Sequence, residues 1–206
     1  MSNETTASDG ERKASVIVVG GGPAGLSAAL FTAKNGLETT VFDTDETWMH
    51  KAHLFNYLGV GSVGGSEFMA TARQQVDDFG VDRRQGEPVT TIEIVDGGFA
   101  VETADGIDES DYVVLATGAD RKLAEDLGCE FTSTDVVDVG VNMETSVDGV
   151  YATGAMIRPE EWQAAIAVGD GAAAALNILS TVRGARFHDF DVPDDAGRVF
   201  GEVLAE

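Results

Sequence analysis

The chain has 206 residues, 43% of them apolar, with 25 Gly and 4 Pro, which suits one compact domain with a buried core and excludes a collagen-like or Pro-rich disordered chain. Asp and Glu number 36 against 13 Lys and Arg, a formal net charge of −23. Nucleic acid and anionic membranes are therefore disfavoured as partners, because neither offers counter-charge. No apolar run reaches the roughly 18 residues needed to cross a bilayer, and the opening MSNETTASDG lacks the basic and apolar regions of a secretory signal, so a cytoplasmic protein is expected. The acids are scattered, not gathered in one tail. Their repulsion opposes a compact state at low ionic strength, and salt near 1 M, with a Debye length of about 3 Å, removes most of it. This is the composition expected in a halophile; the alternative is an ordinary acidic soluble protein. The single cysteine, Cys129, excludes an intramolecular disulfide, a Cys-x-x-Cys pair and a cysteine-rich zinc site.

In chain order, residues 1–13 lack periodicity and read as a flexible acidic tail, with one domain expected over 14–206. Residues 15–19 form a β-branched run typical of a strand buried on both faces. A helix is expected over 26–35, stopped by Gly36, and a second strand over 39–42, ending at Asp43. Residues 44–65 read as a loop. A helix over 66–79, capped by Ser66, comes next. Strands over 89–95, 99–103 and 112–115, joined by Asp96-Gly97-Gly98 and Ala104-Asp105-Gly106, suit an antiparallel meander. Another buried strand is expected over 151–153 and a long Ala/Gly-rich helix over 163–179, with a short amphipathic helix possible after Pro193. The fold class is α/β: a Rossmann-like domain with a parallel sheet and an antiparallel β-meander.

Gly20-x-Gly22-x-x-Gly25, here with Pro23 and Ala24 inside it, lies between the first strand and helix, and Asp43 closes the second strand 23 residues after Gly20. That context makes a weak motif specific for a dinucleotide. Gly20 permits the tight turn, Gly22 lets a pyrophosphate approach the backbone, and Gly25 lets the helix press on the sheet. Free N–H groups at the helix start suit phosphates. Asp43 suits a ribose 2′-OH and opposes a 2′-phosphate.

The fingerprint alone does not choose between FAD and NAD. From about residue 15 to 179, however, the chain resembles the flavoprotein disulfide reductases, particularly the thioredoxin reductase branch. Gly20-Gly21-Gly22-Pro23-Ala24-Gly25 is similar to that family's FAD signature, and Asn56-Tyr57-Leu58-Gly59 to its Asn-aromatic-Pro-Gly segment near the flavin. The resemblance further implies FAD contacts at Val89 and at Ala116, Thr117 and Gly118, where the 112–115 strand ends. It implies others at Gly154 and Ala155 in the second FAD motif, and at Gln163, Ala164 and Ala165 opening the long helix. It also implies a homodimer.

Two departures stand out. The family inserts an NAD(P)H domain after the Ala-Thr-Gly strand, yet here only 26 residues, 119–144, separate Gly118 from Thr145. There is no second glycine fingerprint, so that domain and its dithiol are absent from this stretch. Ala155 stands where the resemblance implies an Asp accepting a ribityl hydroxyl, which forfeits a hydrogen bond worth about 1 kcal/mol.

Trp48, His50, Lys51 and His53 could approach a flavin, the histidines as proton carriers, or could simply be a polar loop. No metal site is expected, because the histidine pair lacks further ligands. Cys129 could form a mixed disulfide, although Glu125, Asp126 and Glu130 would blunt its thiol; an ordinary small core residue is the simpler reading. Arg158, Glu160 and Glu161 could frame a substrate mouth. Two functions follow. One is an FAD-dependent oxidoreductase taking electrons from an external donor, NAD(P)H or a redox protein, to an acceptor without a redox dithiol. The other is a non-catalytic FAD or nucleotide-binding module. No catalytic residue is assigned.

Overall fold

A computed structural model describes residues 13–191. In chain order it contains β1 (Ser15–Val19), α1 (Pro23–Lys34), β2 (Glu38–Asp43), a 3₁₀ turn (Trp48–Lys51), β3 (His53–Leu54), β4 (Val63–Gly64), α2 (Gly65–Asp78) and β5 (Asp82–Gln85). It continues through β6 (Val89–Val95), β7 (Gly98–Thr103), β8 (Ile107–Ser110), β9 (Tyr112–Leu115), α3 (Lys122–Asp126), β10 (Val150–Ala152), a second 3₁₀ turn (Gly154–Ile157) and α4 (Ala164–Arg183). Residues 1–12 of the tail expected over 1–13, and any helix after Pro193, lie outside the described residues.

Five strands form a parallel sheet in the order β10-β9-β1-β2-β5, and β6-β7-β8 form an antiparallel meander. The alternation of side chains along a strand builds the layers. Val16 and Val18 of β1 join Leu26, Ala28, Ala29, Ala174 and Ile178 in one apolar cluster, on the helix side. Ile17 and Val19 join Ile92, Phe99 and Val101 in another, on the meander side. A strand buried on both faces needs a continuous apolar run, which is why β1 and β9 read SVIVV and YVVL.

Helices α1 and α4 approach closely. A Cβ on Gly171 would lie 2.0 Å from the Ala24 carbonyl oxygen, and the Ser27 hydroxyl donates to the Val168 carbonyl at 2.7 Å. By length and composition alone α4 could cross a bilayer. Ala174, Ala175, Ile178 and Leu179 of this helix are nevertheless fully buried in the domain core.

The fold class is as expected, with shifts in detail. Residues 112–115 are not the third meander strand: β9 pairs in parallel with β1 and β10. The third strand is β8, whose sequence IDES carries no apolar alternation and is held through pairing with β7. Polar β5, DRRQ, is also invisible to pattern reading; Arg84 anchors it with two bonds to Asp108, at 2.7 and 2.9 Å. α1 starts at Pro23, three residues before the expected helix, because Pro fits the first helical position. α2 is capped by Gly64, not Ser66, whose hydroxyl lies 2.9 Å from His50 Nδ1. α4 runs four residues beyond expectation and stops at Gly184, which takes the left-handed conformation (φ 63°).

Candidate functional site

In a parallel sheet the crevice forms at the carboxyl ends of the strands, where neighbouring connections leave in opposite directions. Here that point is β1, which has β2 on one side and β9 on the other. A cavity of about 760 Å³ opens there.

Each glycine of the fingerprint answers a different demand. Gly20 has φ 114°, and a Cβ on it would sit 2.2 Å from the Ala116 carbonyl oxygen. On Gly25 a Cβ would lie 1.8 Å from the Gly20 carbonyl oxygen, so this residue serves the helix–strand contact and does not line the cavity. Gly22 is otherwise. Its φ and ψ are −78° and −175°, open to any residue, and a Cβ there would find Thr47 Oγ1 at 3.7 Å and beyond it the cavity. The fold does not require glycine at this position, whereas a ligand reaching the backbone does.

The first intrahelical bond of α1 runs from Leu26 N–H to the Gly22 carbonyl at 2.9 Å, and no side chain caps the helix. The N–H groups of Ala24 and Gly25 therefore have no intrahelical acceptor at this positive helix end. Asp43 closes β2 and is only 3% exposed. Its carboxylate accepts from Asp45 N–H at 2.8 Å and from Arg73 Nη2 at 3.1 Å. Arg73 also bonds Asp45, and Arg73, followed by His50, holds the Asp45 carboxyl below the usual carboxylate range. The guanidinium Nε of Arg73 is buried without a partner. Sequence reading missed Arg73, which reaches Asp43 across 30 positions with no local signal. Its charge weakens the repulsion of a 2′-phosphate that a lone Asp43 would exert.

Gly20, Gly22, Pro23, Ala24, Asp43, Asn56, Val89, Ala116, Thr117, Gly118, Gly154, Ala155, Gln163 and Ala164 all line the cavity. Gly25 and Ala165 do not. Asn56 Nδ2 donates to Gln163 Oε1 at 2.8 Å, joining two of the expected segments. Arg158 reaches Asp170 through Nε at 3.0 Å and Nη2 at 2.5 Å, and both residues line the cavity. Trp48, His53 and Glu161 line it as well, whereas Glu160, Lys51 and His50 do not. His50 instead bonds Asp45 and Ser66.

Cys129 is buried with Ile17, Val113 and Leu115. Burial, not the neighbouring acids, pushes its thiol up, and the small-core-residue reading fits. Among the described residues no group of three or more His, Cys, Asp and Glu is placed to hold a metal ion.

A strand–glycine turn–helix at a topological switch, with an acid closing the next strand, defines a dinucleotide-binding α/β protein. The profile of the pyridine nucleotide-disulphide oxidoreductase family matches residues 14–122 and 60–169. The chain belongs to this family. Among curated proteins it is similar to the F component of alkyl hydroperoxide reductase from Staphylococcus aureus, 36% identical over 116 residues, and to that from Staphylococcus epidermidis, 34% identical over 116 residues. Each match spans 52% of this chain but 22% of the relative. Similar solved structures include the atypical thioredoxin reductase of Desulfovibrio vulgaris Hildenborough (TM-score 0.77, 19% identity, covering 84% of this chain and 99% of that one). Another is a thioredoxin reductase from Gloeobacter violaceus (TM-score 0.77, 21% identity, covering 87% and 100%). These likenesses concern the fold.

Proposed function

We propose that the cavity binds FAD and that the protein is a flavin-dependent oxidoreductase of thioredoxin reductase-like type, carrying electrons from NAD(P)H or a redox protein to an acceptor without a redox dithiol. The observation that carries the reading is the free space beside Gly22, at a position where packing and backbone angles would accept a side chain. Bound FAD would supply reversible two-electron uptake.

This chain's own groups would do the rest. The N–H groups of Ala24 and Gly25 would meet the pyrophosphate, and Asp43, oriented by Arg73 and Asp45, would accept from a ribose hydroxyl. At the other end Asn56 and Gln163 hold each other in place. The first backbone bond of α4 runs from Ala167 N–H to the Gln163 carbonyl at 2.9 Å, so the N–H groups of residues 164–166 lack intrahelical acceptors. That positive helix end favours negative charge developing beside it.

A second reading, an FAD or nucleotide-binding module without turnover, is favoured by Ala155, which presents a methyl group to the cavity where the resemblance implies a carboxylate. An acid extract of purified protein, with visible spectra before and after anaerobic NADH, separates the two. FAD that bleaches and recovers with an acceptor supports the oxidoreductase. A colourless protein holding only adenine nucleotide supports the second reading.

A further inference from the structure

We infer that Trp48 and Trp162 form, at the cavity mouth, a subsite for a neutral planar aromatic acceptor of the naphthoquinone class. As an acceptor site it rests on the flavin reading; as a binding site it does not.

These are the chain's only two tryptophans. They come from elements far apart in sequence and meet with ring centroids 5.1 Å apart and planes inclined at 50°. Each is held in place. Thr47 caps the 3₁₀ turn that carries Trp48, accepting from Met49 N–H, and Met49 is buried. The Trp162 indole N–H donates to the Arg158 carbonyl at 2.9 Å. Even so, Trp48 is 55% and Trp162 43% exposed, and both face the cavity. Two ordered indoles left half open in a concave site resemble the aromatic anchors of binding surfaces more than a packed core. The rings touch each other, so a ligand would lie against the pair and not between its members.

Charge selects the ligand. Glu46 and Glu161, close in sequence to the two tryptophans, also line the cavity. The Lys and Arg residues that line it, Lys122 and Arg158, are paired with Asp126 and Asp170. A phosphate-bearing ligand on this wall would meet carboxylates and cations already engaged, whereas a neutral ring loses nothing to them. A cationic ring is the competing occupant and forms one arm of the test.

Equilibrium dialysis of purified protein against menadione, with flavin content read from visible absorbance of the same sample, tests the subsite. One saturable site is expected, accompanied by quenching of tryptophan emission. Trp48→Leu and Trp162→Leu should each weaken uptake about tenfold, the scale of a lost stacking contact, and Trp48→Phe should retain most of it. The phenylalanine variant keeps the test decisive should a leucine variant misfold. Absence of saturable uptake, uptake unchanged in both leucine variants, or displacement of menadione by equimolar NAD⁺ or N-methylnicotinamide, neither of which can reduce it, would overturn the inference. Protein that lacks flavin yet takes up menadione keeps the subsite and ends the flavin reading. Flavin-loaded protein that takes up none does the reverse.

Discussion

A Cβ at Gly22 would meet only Thr47 Oγ1, at an ordinary contact distance of 3.7 Å, before the cavity. Gly22→Val should therefore leave far-UV circular dichroism and the melting temperature nearly unchanged while bound nucleotide, measured in an acid extract, disappears. Full nucleotide content in this variant would remove the phosphate assignment. Ala155 gives the complementary experiment. Ala155→Asp restores a carboxylate on the cavity wall and should tighten FAD about fivefold through one hydrogen bond worth about 1 kcal/mol; weaker binding would show that the second FAD motif is misplaced. Cys129 is buried among apolar residues on the meander side of the sheet, and attack requires an accessible thiolate. Cys129→Ala should keep most electron transfer to small acceptors at equal flavin content. A loss beyond about tenfold, more than a small core truncation explains, would make the cysteine chemical.

Among the elements, the contact of α1 with α4 brings both helix N-termini to the one cavity, and two glycines of α4 separate its requirements. Gly171 faces the α1 backbone, with 2.0 Å between an added Cβ and the Ala24 carbonyl oxygen, whereas Gly169 faces open space. Gly171→Ala should lower the melting temperature by roughly 5–10 °C, because overpacking against backbone costs about 1–3 kcal/mol or more. Gly169→Ala should be neutral or raise it, since alanine exceeds glycine by up to about 1 kcal/mol of helix propensity. Similar losses in both variants would show that the helices pack differently. The meander illustrates the reverse dependence: β8 is too polar to declare itself, and its register is imposed by Phe99, Val101 and the bonds of β7.

For the molecule as a whole, charge is the controlling quantity. The net charge of −23 remains after every Lys and Arg is counted, including those already engaged in internal pairs such as Arg84 with Asp108, Lys34 with Asp189 and Arg158 with Asp170. Raising KCl from about 0.1 to about 1 M shortens the Debye length from about 10 to about 3 Å. The melting temperature should climb across that range; a flat profile would exclude dependence on molar salt. Acid should act through the same charges. Lys34 holds the Asp189 carboxyl, and Arg73 that of Asp45, below the ordinary aspartate value of 3.8, so their contribution is present above that value and disappears as pH falls through the lowered ones.

Much of this protein could be read without coordinates because the information was local. The β-branched run of β1, the spacing of Gly20, Gly22 and Gly25, and the acid at the end of β2 are separated by a few residues or one βαβ unit, and each has a steric or electrostatic reason that holds for any chain folding that way. Other features depend on residues far apart in sequence, which only packing brings together. Arg73 reaches Asp43 from α2, which packs on α1 and on the 3₁₀ turn after β2, and Trp48 meets Trp162 because that turn and the entry to α4 converge on one cavity. Residues 112–115 had the right apolar pattern for a strand and the wrong assigned partner, since a period of two specifies which faces are apolar and not which neighbour supplies the hydrogen bonds. Local sterics determined the apolar elements and the phosphate turn; long-range burial and charge pairing decided the polar strands β5 and β8, the order of strands, the environment of Cys129 and the composition of the cavity mouth.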